Sequence, residues 1–230
     1  MLTERAIYFP MESLIYQIAI GLPGLLIAIV FHEAAHAYVA HLYGDETAAR
    51  AGRLTLNPLP HIDLFGTIIV PIMGAVLGGF IFGWAKPVPI NTRNFRPNVN
   101  FRKAMFMVSF AGPLTNLVLA FISIFLLALV VTKMPSNFYL FGPFIAMLRY
   151  SVLFNTILFT FNLIPFPPLD GHKMLMSVLN VQTAMKLQFL ERYSFLFFIL
   201  LIVTGLTRYI FTPPVMFSEY LISFFMKIMS

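Results

Sequence analysis

The chain has 230 residues, of which 59% are hydrophobic and only 10% are charged, and its formal net charge is +6. Soluble domains average about 25% charged residues, so this composition excludes an ordinary soluble globular protein. The sequence contains no cysteine, which excludes disulfides and thiolate metal ligands and leaves His, Asp and Glu as candidate ligands.

Long apolar runs predict an all-α polytopic membrane protein, because a spanning helix needs roughly 20 mostly apolar residues. The runs cover residues 14–30, 64–82, 104–131, 151–165 and 195–204. The basic residues lie in loops beside these runs, which is typical of a cytoplasmic membrane loop. We therefore expect a lipid bilayer as partner and no nucleic acid. Residues 1–12 lack the pattern of a secretory signal peptide, so none is expected.

The first helix is predicted at about residues 11–43, with a bend near Pro23. Alternating leucines at 54 and 56 favour a short strand followed by turns. The next apolar run, residues 64–82, contains Pro71 and several glycines, which suit a re-entrant segment at least as well as a full span. A basic loop rich in proline and asparagine follows at residues 85–98.

A firm helix is predicted from about 101 to 131, followed by a loop over 133–143. The next helix enters near Arg149 and is broken within residues 162–171. A helical segment then continues through 179, a last span covers about 193–209, and residues 215–230 are expected to form a short helix lying on the membrane. We expect one membrane-embedded domain, with its core at about 11–180 and a C-terminal span and tail at 181–230.

Polar residues interrupt the apolar first helix in the stretch FHEAAH. His32 and His36 are four residues apart, hence on one helix face, and their imidazoles can reach a single tetrahedral ion. Glu33 is displaced around the helix, towards a water beside the metal. This is the H-E-x-x-H arrangement. In the alternative, these residues are only hydrogen-bonded across helices, but polar groups without a function are costly at this depth in a bilayer.

A catalytic zinc site usually takes three protein ligands plus water. His41 points about 140° away from His36 around the helix, and Glu46 lies past the helix end. Asp170 is the only acidic residue between Asp63 and Glu191. An isolated carboxylate at the end of an apolar run needs a proton or a cation. We predict Asp170 as the third ligand.

The two ligand sets can share an ion only at the same membrane depth. If residues 64–82 cross the membrane, the sets lie towards opposite leaflets. If this segment is re-entrant, residues 44–103 form one same-side region, and the site lies at matching depth. That region carries seven basic residues, at positions 50, 53, 86, 93, 96, 102 and 103, so it should be cytoplasmic. We predict this second arrangement, in the cell membrane, with the active site towards the cytoplasm.

Three motifs, FHEAAH (32–36 with Phe31), FAGPLTN (110–116) and NLIPFPPLDG (162–171), give the chain a resemblance to a known family. It resembles the site-2 proteases, intramembrane zinc metalloproteases, over about residues 15–180. Residues 50–96 look like the compact bacterial branch that lacks a PDZ domain. The resemblance implies a three-helix core, one zinc ion held by His32, His36 and Asp170, and Glu33 as general base.

The resemblance further implies hydrolysis of a peptide bond in or near a transmembrane segment of a protein substrate. Asn162 is a candidate donor to the oxyanion or the substrate backbone, or else a cap for the broken helix. His61 is expected to be a structural hydrogen-bonding residue. His172 either supports Asp170 or is a plain loop histidine. Asn116 is expected to pack between helices rather than line a water channel.

Two other classes use the same residues, a divalent metal transporter and a catalytically inactive membrane scaffold. Glu33 has no obvious purpose in either of them, and no inverted repeat typical of transporters is found. The sequence leaves the substrate, the pathway and the oligomeric state open.

Overall fold

The computed structural model describes residues 14–70, 73, 86–135 and 137–230. No strand occurs among these residues, and the prediction of an all-α membrane protein is confirmed. The α-helices are α1 Leu14–Leu42, α2 Thr47–Arg50, α3 Phe101–Lys133, α4 Phe141–Asn162, α5 Asp170–Val178, α6 Val181–Leu187, α7 Ser194–Val203 and α8 Leu206–Met229.

Three described helices, α1, α3 and α4, are long and apolar enough to cross a membrane. A fourth candidate span is formed by two consecutive helical stretches, 181–201 and 206–229, with a bend of 77° between them. Arg96 N donates to Tyr43 O at 2.9 Å, so α3 begins where α1 ends and the two helices run in opposite directions. The short loop after α3 returns the chain into α4, which therefore runs parallel to α1.

Small residues let the three long helices approach closely, as is common in membranes. Ala28 and Ala37 of α1 are fully buried. A Cβ added at Gly24 would lie only 3.1 Å from the backbone nitrogen of Ser151 in α4. Leu25, Ile29 and Phe154 complete this contact as a buried apolar cluster. The close contact of α1 with α4 brings the polar residues of these helices into reach of one another.

The predicted helix boundaries hold best where capping residues define them. Asn100 Oδ1 accepts a hydrogen bond from Lys103 N at 3.1 Å and begins α3, one residue before its first helical position. The fourth helix starts at Phe141, eight residues before the predicted entry at Arg149. Pro143 lies in its first turn, where a missing N–H breaks no helical hydrogen bond.

The short strand predicted around residues 54–56 is wrong, because these residues form bends. His61 Nε2 donates to Thr55 O at 3.0 Å, and the Arg53 guanidinium donates to the carbonyls of Lys86 and Pro87. Side chains thus satisfy polar groups that a strand would use in a ladder, and no neighbouring strand exists among the described residues. Alternation alone was insufficient to make a strand.

Only the beginning of the glycine-rich run at 64–82 lies within the described residues. Leu64–Ile69 form a π-helix, with Asp63 Oδ1 accepting from Gly66 N at 2.7 Å. Lys86 N donates to His61 O at 3.0 Å. Residues 61 and 86, which precede and follow this run, are therefore next to each other. An arrangement in which residues 44–103 lie on one side of the membrane requires the two ends of the run to be close in this way.

The last span predicted at 193–209 is not one continuous helix, since α7 ends at Val203 and α8 begins at Leu206. Gly205 has φ 68°, a left-handed conformation that glycine adopts without a Cβ clash, and α8 begins directly after it. The prediction of a short surface helix at 215–230 is wrong. Helix α8 has 24 residues, and Ile222 is buried against Ile124, Leu127 and Val152 of α3 and α4.

The docking of α8 can be tested with a cysteine pair, because the chain has no cysteine of its own. Thr156 Oγ1 and Ser218 Oγ lie 3.0 Å apart, so cysteines at both positions should meet the short Cβ–Cβ distance that a disulfide needs. We expect Thr156→Cys/Ser218→Cys to cross-link on mild oxidation in membranes, measured as an intramolecular mobility shift reversed by reductant. Thr156→Cys/Ser223→Cys, with Ser223 exposed, should stay reduced. Equal cross-linking of both pairs would contradict the packing described.

Candidate metal centre

The second half of α1 brings two imidazoles together. His32 Nε2 and His36 Nε2 lie 3.0 Å apart, and the two rings are nearly perpendicular, with an interplanar angle of 83°. Both side chains are buried. The separation of four residues, about one helical turn, produces this geometry.

Asp170, the first residue of α5, completes the group. Its Oδ2 lies 3.1 Å from His32 Nε2 and 3.0 Å from His36 Nε2, while Oδ1 accepts from Lys173 Nζ at 3.1 Å. A Cβ at Gly171 would come within 2.4 Å of Leu163 O. The glycine after Asp170 therefore allows α5 to begin directly against the end of α4, which places the carboxylate beside the imidazoles.

The protonated nitrogen of each imidazole can be deduced from its other partner. His36 Nδ1 lies 2.6 Å from Val108 O, and a carbonyl only accepts, so Nδ1 carries the hydrogen. His32 Nδ1 lies 2.6 Å from Asn116 Oδ1. The amide nitrogen of Asn116 is turned to Ala28 O at 3.0 Å, so its oxygen faces His32. In both neutral rings, Nε2 is therefore the lone-pair nitrogen.

This arrangement fits a bound metal ion. In the neutral form of both rings, two nitrogen lone pairs and one carboxylate oxygen converge, with all ligand atoms within 4.8 Å of one another. Such a set of acceptors is repulsive in a buried site unless a cation lies between them. Two histidines and one carboxylate, each held by a hydrogen bond from its other polar atom, are ligands that catalytic zinc prefers.

Gly112 of α3 bounds the space in front of these atoms. A Cβ added there would lie 2.3 Å from His36 Nε2 and 2.7 Å from His32 Nε2. These distances are shorter than any normal van der Waals contact, so only glycine leaves the metal side of the two imidazoles clear. The neighbouring Pro113 has no N–H to donate to the preceding helical turn.

Glu33 lies between the two histidines in sequence but on another side of α1. Its side chain is half-buried, and Oε2 accepts a hydrogen bond from Val88 N at 2.8 Å. The extended segment that carries Val88 is held by Arg53, whose guanidinium donates to Pro87 O at 2.6 Å and to Lys86 O at 2.5 Å. Arg53 is itself buried, so this contact fixes the backbone donor that reaches Glu33.

Asp45 ties the next part of the same loop to the end of α1. Its carboxylate accepts from Asn91 N at 2.6 Å, Asn94 Nδ2 at 3.0 Å and Thr47 N at 3.0 Å. Burial raises the pKa of Asp45, but the hydrogen bonds from Thr47, Asn91 and Asn94 outweigh it and hold the pKa below its ordinary value. At neutral pH the ionised carboxylate of Asp45 therefore holds the loop at Asn91 and Asn94 against the end of α1.

The structure brings together His32, His36 and Asp170, the three residues predicted as ligands. Asn162 Nδ2 donates to Leu158 O of its own helix at 3.0 Å, a bond within the last turn of α4 and not to the metal ligands. The imidazole of His41 lies 2.9 Å from Glu46, away from the centre. His61 is fully buried and bonded to Thr55 O.

His172 is buried beside Asp170, and neither ring nitrogen has a hydrogen-bond partner among the described residues.

Four contributions to the centre were not assigned from the sequence: the Asn116 oxygen on His32, the clear space at Gly112, the Val88 N–H on Glu33 and the hydrogen bonds of Arg53 that hold the segment with Val88. For Asn116 a signal existed, since a polar amide in a long apolar run is costly without a partner. The other three depend on tertiary contacts.

A buried pair of imidazoles and a carboxylate within membrane helices, with a glutamate beside them, defines a membrane-embedded zinc hydrolase. The chain is 38% identical to a Bacillus subtilis protein named "Putative zinc metalloprotease YwhC" over 211 residues, which cover 91% of this chain and 90% of that protein. By this similarity, the chain belongs to the site-2 protease family. It is a metalloprotease, and its cofactor is Zn2+.

Two further relatives carry the same designation. Rip2 of Mycolicibacterium smegmatis is 31% identical over 198 residues, which cover 86% of this chain and 72% of that protein. MJ0611 of Methanocaldococcus jannaschii is 34% identical over 146 residues, which cover 64% of this chain and 63% of that protein. No protein-family model matches the chain, and no solved structure matches it.

The space in front of the imidazoles can be tested by filling it. We expect Gly112→Ala to lower bound zinc from about one ion per chain to near zero, because the new methyl group would occupy the position next to both Nε2 atoms. The measurement is the metal content of purified protein in detergent. Gly142→Ala, whose Cβ would meet nothing within 4 Å, should keep its zinc. Full zinc occupancy in Gly112→Ala would contradict the geometry described.

Proposed function

We propose that this chain is an intramembrane zinc metalloprotease that hydrolyses a peptide bond in or near a transmembrane segment of a membrane protein, as in regulated intramembrane proteolysis. The observation that supports this proposal is the depth of the centre. His36 and His32 lie six and ten residues before the end of α1, roughly 9 and 15 Å along its axis. We also propose that residues 1–230 form one membrane-embedded domain, with its core at about 11–180 and a C-terminal span and tail at 181–230.

In this proposal His32, His36 and Asp170 hold the zinc ion. When bound, zinc lowers the pKa of a water molecule and polarises the scissile carbonyl. The chain supplies the proton transfers. Glu33 Oε2 is held by Val88 N, so we assign the transfer to Oε1, which takes a proton from the attacking water and delivers it to the leaving amine.

Asn162 is the candidate donor to the developing oxyanion or to the substrate backbone. Its Nδ2 donates to Leu158 O. Substrate binding would therefore exchange a local contact at the end of α4 for one with the substrate. Asn162 also lies at the break between α4 and the segment that leads to Asp170, which suits a role next to the metal.

The site is proposed to face the cytoplasm. The basic residues at 50, 53, 86, 93, 96, 102 and 103 all lie between the end of α1 and the first turn of α3. An excess of Lys and Arg in such a region is typical of the cytoplasmic side. The ligands lie nearer to this end of α1 than to its start, so water would reach them from this side.

The general-base role is tested by Glu33→Gln. We expect this variant to keep its zinc, since the three ligands are unchanged, and to lose cleavage by at least a factor of about 100. Membranes from cells that carry the wild type or the variant are compared by quantitative mass spectrometry of transmembrane-derived peptides. A protease should show full-length membrane proteins accumulating with the variant. Unchanged peptides together with zinc flux into vesicles would instead indicate a transporter.

The hydrogen bonds between Arg53 and the backbone segment that contacts Glu33 give a second test. Arg53→Lys keeps the charge but loses the fork that spans the two carbonyls. Because small displacements of a catalytic group are costly, we expect kcat to fall roughly 10-fold or more, with KM and zinc content unchanged. Arg50→Lys, at an exposed position on the same loop, is the control. A change in KM alone would show that Arg53 acts on substrate binding rather than on Glu33.

A further inference from the structure

A chain of buried amides and hydroxyls extends from His32 into the apolar centre of the helix bundle. Asn116 of α3 and Asn155 of α4 are both fully buried. Asn116 Nδ2 donates to Asn155 Oδ1 at 2.9 Å, and Asn155 Nδ2 donates to Ser151 O at 2.9 Å. Ser151 Oγ in turn lies 2.8 Å from Ser123 Oγ. Polar groups inside a membrane bundle are costly, and they commonly mark function.

The orientation of both side-chain amides in this hydrogen-bonded series, those of Asn116 and Asn155, is fixed. Ser151 O is a carbonyl and only accepts, so the nitrogen of Asn155 must face it and the oxygen of Asn155 must face Asn116. Asn116 then directs its nitrogen towards Asn155 Oδ1 and Ala28 O. Its oxygen is left for His32 Nδ1, at 2.6 Å.

A rotation of the Asn116 amide by 180° would reverse this order. Its oxygen would face the oxygens of Asn155 and Ala28, and its NH2 group would face His32 Nδ1. Two contacts would then join acceptor to acceptor, which is unfavourable in a buried site. A donor facing Nδ1 would also favour the tautomer with the hydrogen on Nε2, and that nitrogen could no longer bind a metal.

We propose that Asn116, and Asn155 acting through it, are positioning residues that keep His32 in the tautomer whose Nε2 is free for zinc. The inference depends on the ligand role of His32 proposed above. The alternative is that both amides only join α1, α3 and α4. Zinc affinity separates these two roles, because joining the helices affects stability but not the tautomer.

The experiment measures zinc affinity of the full chain in detergent by competition with a chromogenic chelator. Loss of a residue that holds a metal-binding histidine typically weakens metal binding about 10–100-fold, and we expect this for Asn116→Leu and Asn155→Leu. Single hydrogen bonds between membrane helices contribute little to stability, so both variants should fold. Thermal melting of each variant verifies this.

Thr156→Val is the matched control. Thr156 is adjacent to Asn155, similarly buried, and bonded to Ser218 of α8 across a helix interface. Its loss removes a buried bond without touching His32, so zinc affinity should stay at the wild-type value. Weakening equal to that of Asn155→Leu would show a general packing effect and overturn the proposal.

Asn116→Asp gives a test that does not depend on removing a polar group. A carboxylate offers an oxygen to His32 Nδ1 in either orientation, so zinc affinity should stay well above that of Asn116→Leu. Its second oxygen would face Ala28 O and Asn155 Oδ1, so the cost of the substitution should be a lower melting temperature. Adding Asn155→Leu to Asn116→Asp should then cause no further loss, since no amide remains to turn over.

Wild-type zinc affinity in both leucine variants would overturn the positioning role alone. His32→Ala serves as the reference for the ligand assignment and should lose zinc binding. If His32→Ala binds zinc as tightly as the wild type, the proposed ligand set fails as well, and the two failures are thereby distinguished.

Discussion

The structure depends on the convergence of three ligand atoms, two imidazole nitrogens and one carboxylate oxygen, at a single point. His32 Nε2, His36 Nε2 and Asp170 Oδ2 lie 3.0 to 3.1 Å apart. Each is turned inwards because its other polar atom is already occupied: by an asparagine oxygen, a backbone carbonyl and a lysine ammonium, respectively. In a medium of low dielectric constant this set is unfavourable without a cation. The folded helix bundle therefore favours the binding of a metal ion between these atoms.

Close helix packing makes this convergence possible. Gly112 lets α3 pass directly in front of the imidazoles, and Gly171 lets α5 begin against the end of α4. At both positions a single methyl group would overlap with atoms of the centre or with the backbone that supports it. Glycine is used here for the space it leaves, not for its freedom of conformation, since neither residue has a positive φ.

Much of the centre could be predicted from the sequence, because its signals are local. Two histidines one turn apart and a lone carboxylate in an apolar stretch each have a physical meaning without knowledge of the fold. The start of α3 was predictable for the same reason, since Asn100 caps it locally. The start of α4 was not, because its apolar composition extends back to Phe141 without a clear capping signal.

The errors in the fold share one cause, which is dependence on distant contacts. Residues 54–56 have the alternation of a strand, but Arg53 bonds the carbonyl of the distant Lys86 and His61 bonds the carbonyl of Thr55. The C-terminal residues have the composition of a surface helix, yet Ile222 finds a buried position against α3 and α4. Neither the partner of Arg53 nor the pocket for Ile222 has a signature in the nearby sequence.

Helix α1 presents the two histidines of the metal centre and the neighbouring Glu33, the proposed general base, on different faces. Successive residues are about 100° apart around a helix, so His32 and His36 face α3 and α5 while Glu33 faces the segment at 86–88. The metal ligands are thus held by buried groups of the helix bundle, whereas the glutamate is held by a backbone N–H from a loop. That loop is in turn fixed by Arg53 and Asp45, outside the long helices. The metal ligands and the glutamate are therefore held by different parts of the fold.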